Sequence, residues 1–263
     1  MLHIDDSDRV RLLTLDRPEA RNALDDAHYH ALADAFEDAT DRGDLAVVTL
    51  TGTSGAFCAG QDLAEMGRLG DAPPTAGDAT RGAHGFTRFV AALEAFPKPI
   101  VAAVNGVAVG LGVTMLPYCD LVLVADDARL RTPFASLGVV PEAGSSFTLP
   151  AAMGRQAAAH VLLAGAWFDA ATAVTSGLAW KSVPAARLLD EALDAARAMA
   201  RLPIVSLCET KRLMRSGWLA AAQAARTREE AVFAELTGAP ANREAITAFL
   251  EKREPDFVNL PSD

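Results

Sequence analysis

The chain contains 263 residues, of which 51% are hydrophobic and 22% are charged, and its formal net charge at pH 7 is −10. This composition is typical of a globular protein with a sizeable core and excludes a largely disordered chain. The acidic excess argues against non-specific binding to nucleic acid or to an anionic membrane, although it is compatible with a local basic patch for a phosphorylated ligand.

The cysteine pattern and the N-terminus indicate where the protein resides. Cys58, Cys119 and Cys208 are widely spaced and form no CxxC pair, which predicts free thiols in a reducing compartment. The first residues lack the basic and apolar regions of a signal peptide. The apolar run from Pro99 to Leu116 is interrupted by Asn105 and by glycines, so it does not predict a membrane span. We therefore expect a cytoplasmic protein.

The first part of the chain alternates strands with helices. In chain order, the hydrophobic pattern predicts a strand from Arg9 to Leu15, a helix capped by Asn22 and running to Thr40, a strand from Leu45 to Gly52, and a turn of small residues, 56–63, that leads into a helix. Residues from Arg68 to Gly85 are rich in Gly, Pro and Ala and show no periodicity. They predict a long functional or disordered loop.

Beyond this loop the alternation continues. We predict a helix from Phe86 to Phe96, a strand from Ile100 to Val104, a turn at Asn105 and Gly106, a helix from Gly110 to Cys119 and a strand from Leu121 to Ala125. Such alternation predicts an α/β fold. From about Ala185 the pattern is helical only. A boundary near Pro203 therefore separates a core of residues 1–202 from a helical region of residues 203–263.

Two glycine-containing turns lead into predicted helices, Ala59 to Leu63 and Val109 to Val113. A helix N-terminus presents unpaired N–H groups and a favourable dipole. Two such ends that converge would form an oxyanion hole from the backbone alone, in which one donor contributes about 2.7–4 kcal/mol. Each turn by itself is a common structural feature.

Several motifs, in the same order along nearly the whole chain, resemble those of the crotonase (enoyl-CoA hydratase/isomerase) superfamily. They are Leu15–Pro18 with Arg21–Leu24, Phe57–Leu63, Lys98–Gly106 with Gly110–Gly112, Ala125–Ala128, Leu137–Gly138 and Glu251–Arg253. The resemblance implies a spiral of ββα units with a C-terminal helical trimerisation region. It also implies an acyl-CoA thioester as substrate, no separate cofactor or metal, and self-association to a trimer or hexamer.

By the same resemblance, the backbone N–H groups of Gln61 and Leu111 are the two donors of the oxyanion hole. The residues implied in binding CoA and substrate are Ala20, Arg21, Ala59, Gly60, Asp62, Leu63 and Gly110. A further expectation concerns Lys252 and Arg253, which would place basic groups near the CoA phosphates of the same or a neighbouring subunit.

The chain departs from the superfamily's hydratases at the two positions where they carry glutamates. Thr114 and Phe134 stand there, and we expect both to line the acyl pocket. A different acid, Glu142, lies in a segment similar to that of the peroxisomal-type Δ3,Δ2-enoyl-CoA isomerases, in which one glutamate shuttles the proton. Apolar neighbours predict a raised pKa for Glu142, which suits a base that must also donate.

The leading interpretation is therefore an isomerase that moves a double bond in an enoyl-CoA. The alternatives are a hydratase, another crotonase reaction such as thioester hydrolysis, and a catalytically silent protein that binds CoA thioesters. Glu65, near the first turn, is the alternative candidate for the catalytic acid. The side chains given minor or structural roles are His28, His30, His84, His160, Cys58 and Asp120.

Overall fold

A computed structural model describes residues 1–63, 65 and 81–260. The strands are β1 Leu2–Ser7, β2 Val10–Leu15, β3 Val47–Gly52, β4 Ala56–Cys58, β5 Ile100–Val104, β6 Val107–Val109, β7 Leu121–Ala125, β8 Arg129–Arg131, β9 Phe168–Asp169 and β10 Lys181–Val183. The helices are α1 Asp26–Asp41, α2 Arg81–Ala95, α3 Leu111–Thr114, α4 Ser145–Met153, α5 Arg155–Leu163, α6 Ala170–Thr175, α7 Leu188–Ala200, α8 Ile204–Arg215, α9 Leu219–Leu236 and α10 Pro240–Glu251. None of the described helices has the length and apolar character needed to cross a lipid bilayer.

The strands form two sheets. The larger sheet has the order β1-β2-β3-β5-β7-β10 and is parallel except for the β1–β2 pair, and the smaller sheet has the order β4-β6-β8-β9. In each of the pairs β3–β4, β5–β6 and β7–β8, the first strand joins the larger sheet and the second joins the smaller one. A helix follows each pair, so the predicted α/β class and the repeated ββα units are confirmed.

The core lies on both faces of the central strands. Every residue of β5 is buried, and so are the first five residues of β3, as expected for parallel strands covered by helices. Helix α7 packs on β3 and β5, while α1 and α2 pack against each other. Aromatic rings fill the contact between those two helices, with Phe36 and Phe96 edge to face at 5.0 Å between ring centroids.

Strand β1 was not expected from the sequence. Its residues Leu2–Ser7 are mostly exposed, and the apolar Leu2 and Ile4 are followed by three polar residues, so the hydrophobic alternation is short. The strand forms because Asp8 and Arg9, with φ of 53° and 63°, make a tight hairpin turn onto β2. Neither residue is the glycine that normally signals such a turn.

The predicted N-cap of α1 was wrong. Asp25, and not Asn22, caps the helix by accepting a hydrogen bond from the backbone N–H of His28. Asn22 instead adopts a φ of 59° and accepts from the N–H of Arg17 at 2.7 Å. Its amide also donates to the carbonyls of Ala56 and Thr53 at 2.8 and 3.2 Å, so Asn22 ties the end of β2 to the start of β4.

The predicted loop from Arg68 to Gly85 lies outside the described residues up to residue 80. From Arg81 onward the prediction was wrong, because α2 already begins there. Gly85 reads as a loop residue in the sequence, yet it serves close packing. A methyl group on it would lie 2.5 Å from Oδ1 of Asp26, which accepts the Gly85 N–H at 3.1 Å.

The predicted helix from Gly110 to Cys119 was also wrong in its bounds. The chain first forms β6, then the short helix α3, and then a separate 3-10 turn at Leu116–Tyr118. Pro117 lies inside that turn and cannot donate the N–H that a continuous α-helix requires. Likewise, the small residues before the first glycine turn form β4 rather than an extended turn.

The C-terminal helices are anchored to the core by buried cations. Lys211 of α8 donates to the Asp120 carboxylate at 2.7 Å and to the carbonyl of Lys98 at 2.8 Å. Arg215, one turn later, donates to carbonyls at the end of α2, those of Leu93, Glu94 and Phe96. Several large apolar side chains of this region are nevertheless exposed, namely Val205, Leu213, Met214, Val232, Phe249 and Leu250.

Replacing Lys211 with methionine should lower the free energy of unfolding by about 3 kcal/mol, because the half-buried Asp120 carboxylate loses its cationic partner and the carbonyl of Lys98 loses a donor. Arg212→Met is the matched control, since Arg212 and its partner Glu209 are exposed and water screens their attraction. Urea unfolding followed by circular dichroism measures both changes. Equal, small effects of the two substitutions would contradict the anchoring role of Lys211.

Candidate active site

The two glycine turns predicted to converge do so in the structure. Gly60 and Gly110 have φ of +82° and +54°. A methyl group on Gly60 would lie 2.7 Å from the carbonyl oxygen of Val109, and one on Gly110 would lie 3.9 Å from the Cα of Gly60. Position 60 requires glycine for two reasons. Its positive φ is unfavourable for other residues, and the backbones of the two turns touch, which leaves no space for a side chain.

The first turn is held by a short backbone pairing with the chain after β2. Ala59 N–H donates to the carbonyl of Arg21, Leu24 N–H donates to that of Gly60, and the N–H of residue 62 donates to that of Leu24. This pairing uses the groups on either side of Gln61. Within the described chain, the backbone N–H of Gln61 therefore has no hydrogen-bond partner.

The second turn follows β6. Gly110 N–H donates to the carbonyl of Arg131 on β8, which fixes the turn to the smaller sheet. Leu111 is the first residue of α3, and its N–H is likewise unpaired among the described residues. Gly112 lies so close to β4 that a methyl group on it would be 2.2 Å from the carbonyl oxygen of Cys58. Two unpaired N–H groups on touching turns can stabilise an oxyanion.

Glu142 lies beside these turns. Its Oε1 atom is 3.8 Å from the position that a methyl group on Gly110 would occupy. The side chain is half-buried and has no hydrogen bond or ion pair with any described residue. Burial among protein atoms raises the pKa of Glu142 to about 8, and the negative charge of Glu229 adds to this effect. The raised pKa agrees with the expectation from the apolar neighbours.

The loop that carries Glu142 has an unusual backbone and is clamped on two sides. Ala143 and Gly144 both have positive φ, 56° and 71°. Tyr118 donates its hydroxyl to the carbonyl of Ala143 at 2.7 Å. Glu229 of α9 accepts the N–H groups of Gly144 and Ser146 at 2.6 and 2.7 Å. Neither Tyr118 nor Glu229 was predicted from the sequence. The one sequence feature that could have indicated Glu229 is an acid on the alanine-rich, buried face of α9.

Tyr29 contacts the side chain of Gln61 in the first turn. It is fully buried, and its hydroxyl donates to Oε1 of Gln61 at 3.2 Å. Burial raises the pKa of Tyr29, and the negative charges of Glu142 and Glu65 raise it further. Tyr29 therefore stays a neutral donor at physiological pH, and it was not predicted as a site residue.

The two positions at which a hydratase would carry glutamates are apolar or neutral and buried. Thr114 has no exposed surface, and its hydroxyl has no hydrogen-bond partner in the described structure. Phe134 is buried after β8. Neither places a carboxylate at the turns, and their role in an acyl pocket remains a prediction.

The acids near the first turn are used in structural contacts. Asp62 pairs with Arg17 at 2.7 Å. Glu65, the alternative candidate acid, accepts the N–H of Asp26 at the start of α1, and burial raises its pKa. The remaining residues expected to bind CoA lie beside this turn: Ala20, Ala59 and Leu63 are half-buried and Arg21 is exposed.

The minor candidates have structural surroundings. Asp120 accepts from Ile100 N–H and from Lys211, which confirms its structural pairing. Cys58 is fully buried and burial raises the pKa of its thiol to about 12, which leaves it unreactive. Arg253 is paired with Glu244 and Glu251, whereas the Lys252 side chain is exposed. Within the described ranges, no three His, Cys, Asp or Glu side chains are grouped so as to hold a metal ion.

Comparison with known proteins agrees with this geometry. The family model described as enoyl-CoA hydratase/isomerase matches residues 5–259. The 2,3-dehydroadipyl-CoA hydratase of Escherichia coli K12 is 37% identical over 249 residues, and the 1,2-epoxyphenylacetyl-CoA isomerase of the same organism is 34% identical over 252 residues; each match covers 95% of both chains.

The fold has equally close relatives among solved structures. An enoyl-CoA hydratase/isomerase from Pseudoalteromonas atlantica T6c gives a TM-score of 0.89 at 37% identity, covering 98% of this chain and 99% of that one. The more specific likeness to peroxisomal-type isomerases stays a prediction. With its two sheets, converging glycine turns and family match over nearly its whole length, the chain belongs to the enoyl-CoA hydratase/isomerase family of the crotonase superfamily, whose members are enzymes of acyl-CoA thioesters.

Proposed function

We propose that the protein is a Δ3,Δ2-enoyl-CoA isomerase in which Glu142 is the sole acid and base. One observation carries the proposal: an unpaired carboxyl with a pKa of about 8 lies against the two glycine turns. Thr114 and Phe134 stand where a hydratase would hold the carboxylates that activate water. A double-bond shift needs one proton carrier, whereas hydration must also deliver a nucleophile.

The backbone of the two turns supplies the electrostatic part of the mechanism. The thioester oxygen of a 3-enoyl-CoA would accept the N–H groups of Gln61 and Leu111. When a proton leaves C2, the electron pair spreads over the dienolate and negative charge develops on that oxygen. Fixed N–H donors stabilise this charge without having to reorient, and each contributes about 2.7–4 kcal/mol.

Glu142 supplies the proton transfer. Its carboxylate takes the proton from C2, and the resulting carboxylic acid returns it to C4, so the double bond moves from C3–C4 to C2–C3 and no atom is gained or lost. A pKa raised to about 8 makes the carboxylate a stronger base than an exposed glutamate and still lets the acid form donate. Since Glu142 has no hydrogen-bond partner in the described chain, it is free to move between the two carbons.

CoA would lie along the first turn and the chain after β2. The exposed Arg21 and the half-buried Ala20, Ala59 and Leu63 form one edge there, because Ala59 N–H is bonded to the carbonyl of Arg21. The role of Gly60 and Gly110 is to let the thioester approach the backbone. Lys252 remains a candidate for the CoA phosphates, while Arg253 is engaged with two carboxylates.

The second candidate is a hydratase. It is favoured by the 37% identity to the 2,3-dehydroadipyl-CoA hydratase of Escherichia coli. In that case Glu142 would have to activate water and protonate the α-carbon by itself, with no second carboxylate at Thr114 or Phe134. A silent CoA-thioester binding protein is the third possibility, and the raised pKa of Glu142 weighs against it.

Glu142→Gln should reduce isomerisation of a 3-enoyl-CoA by at least about 10²-fold, because general acid–base catalysis typically contributes 10²–10⁴-fold. CoA affinity should stay the same, since Glu142 lies at the reacting end. In the wild type, kcat/KM should rise with pH through about 8, because the base form of Glu142 appears as its pKa is passed. Glu65→Gln is the matched control, and near-normal turnover in Glu142→Gln would remove Glu142 from the mechanism.

The reaction type is tested by products. Incubated with a 3-enoyl-CoA, the enzyme should give the 2-enoyl-CoA. Incubated with crotonyl-CoA, it should give little or no 3-hydroxyacyl-CoA, because neither Thr114 nor Phe134 supplies a second carboxylate to hold water. Mass spectrometry of the products separates these outcomes. Rapid hydration would favour the second candidate, and acyl-CoA binding without any turnover would favour the silent protein.

The proposed enzyme self-associates. Leu213 and Met214 of α8 are 62% and 69% exposed, and Phe249 and Leu250 of α10 are 57% and 58% exposed, which leaves an apolar surface on the C-terminal region. Light scattering should give a mass near three or six times 27.6 kDa. Met214→Glu should lower that mass, because it places a charge in the interface. A stable and active wild-type monomer at micromolar concentration would refute self-association.

A further inference from the structure

We infer that Glu229, on the C-terminal helix α9, is a positioning residue that holds the Glu142 loop in place and keeps a second negative charge facing the base. The inference rests on the proposed role of Glu142 as acid and base. On this view, the helical region beyond Pro203 completes the catalytic site of its own chain, in addition to any role in assembly.

The backbone of the Glu142 loop is held in an unfavourable conformation. Ala143 and Gly144 adopt consecutive left-handed conformations, which cost about 1 kcal/mol or more at a residue other than glycine. Such a conformation persists only where the surroundings impose it. Contacts directly after Glu142 do this: the Tyr118 hydroxyl bonds the carbonyl of Ala143, and Glu229 bonds the N–H of Gly144.

Both carboxylate oxygens of Glu229 bond to the backbone that follows Glu142. They accept different N–H groups, Oε2 that of Gly144 at 2.6 Å and Oε1 that of Ser146 at 2.7 Å. These N–H groups flank Ser145, the first residue of α4, so the carboxylate also faces the positive end of that helix. A methyl group on Gly144 would lie 2.8 Å from the carbonyl oxygen of Ala222, so α9 and the loop are in direct contact.

The charges around Glu229 determine how it affects the pKa of Glu142. Glu229 is only 6% exposed, and the ionisable groups that act on it or are acted on by it are Glu142, Tyr118 and Arg228. Arg228 is exposed on the same helix and compensates little. Tyr118 stays neutral because burial raises the pKa of its hydroxyl. Burial raises the pKa of Glu229 itself, whereas the hydrogen bonds from the N–H groups of Ser146 and Gly144 favour its charged form, and that charge raises the pKa of Glu142.

The groups on the other side of Glu142 do not offset this charge. Tyr29 and Cys58 face Glu142 from α1 and β4, and both are buried and neutral at physiological pH. No cation pairs with Glu142 among the described residues. Glu229 thus has two separable effects on the base: hydrogen bonds that set its position and a like charge that makes it hold its proton more tightly.

The test compares Glu229→Gln with Glu235→Gln. The first keeps the size of the side chain but loses the charge and at least one of the two N–H bonds. The second removes an exposed charge from the same helix, and Glu235 makes no contact with the loop. Glu229→Gln should lower kcat about tenfold or more, since small displacements of a catalytic group are costly. It should also move the rise in kcat/KM to lower pH by about half a pH unit or more. Glu235→Gln should behave as wild type.

A second measurement is independent of turnover. The pKa of Glu142 can be followed by ¹³C NMR of glutamate-labelled protein, with the Glu142 signal assigned by its loss in Glu142→Gln. This pKa should fall in Glu229→Gln, because a neighbouring negative charge has been removed. An unchanged pKa, or an unchanged kcat, overturns the inference. If Glu142→Gln itself is fully active, the proposed function fails, while the NMR titration still decides the role of Glu229.

Glu229→Asp covers the case in which Glu229→Gln does not fold. It keeps the charge but withdraws the carboxylate by one methylene, so that both N–H groups can no longer be reached. We expect kcat to fall several-fold while the pH at which kcat/KM rises stays near that of the wild type. A wild-type kcat in Glu229→Asp would overturn the positioning role.

Discussion

The structure depends on one close contact, that between the backbones of Gly60 and Gly110. Each ββα unit sends its first strand to the larger sheet and its second strand to the smaller one, so the ends of β4 and β6 emerge side by side. The contact then leaves the N–H groups of Gln61 and Leu111 unpaired at the same place. A side chain at Gly60 would push the turns apart, because the carbonyl of Val109 is only 2.7 Å from the place of its first carbon.

Around this contact the polar groups fall into two classes. The acids that hold structural elements together are paired with cations: Asp62 with Arg17, and Asp120 with Lys211. Among the described acids next to the turns, Glu142 has an unpaired carboxyl, and its surroundings raise its pKa to about 8. An unpaired carboxyl in partly buried surroundings is costly for stability. Its retention at this point is understandable if it carries out proton transfer.

Much of the fold could be predicted from the sequence because buried parallel strands are continuous apolar runs. Ile100–Val104 is of this kind, and Val47–Gly52 is rich in β-branched residues. Strand β1 could not, since most of its residues are polar and its turn, Asp8 and Arg9, lacks glycine. Glu142 was found through a local motif. Glu229 was not, because it lies 85 residues from Gly144 in the sequence and no local pattern connects an acid on α9 with that loop.

The proposed oxyanion donors are main-chain groups, and this has a consequence for how the protein can change over evolutionary time. A backbone N–H persists through substitution of its own side chain, so Gln61 and Leu111 can vary while the donors remain. The reaction is then decided separately, by which side chains around the turns carry a carboxyl group. Thr114, Phe134 and Glu142 are three such positions; Thr114 lies in α3 directly after the second turn, yet its side chain makes no hydrogen bond in the described structure. A scaffold of this kind can exchange one acyl-CoA chemistry for another by few substitutions, without rebuilding the part that stabilises the enolate.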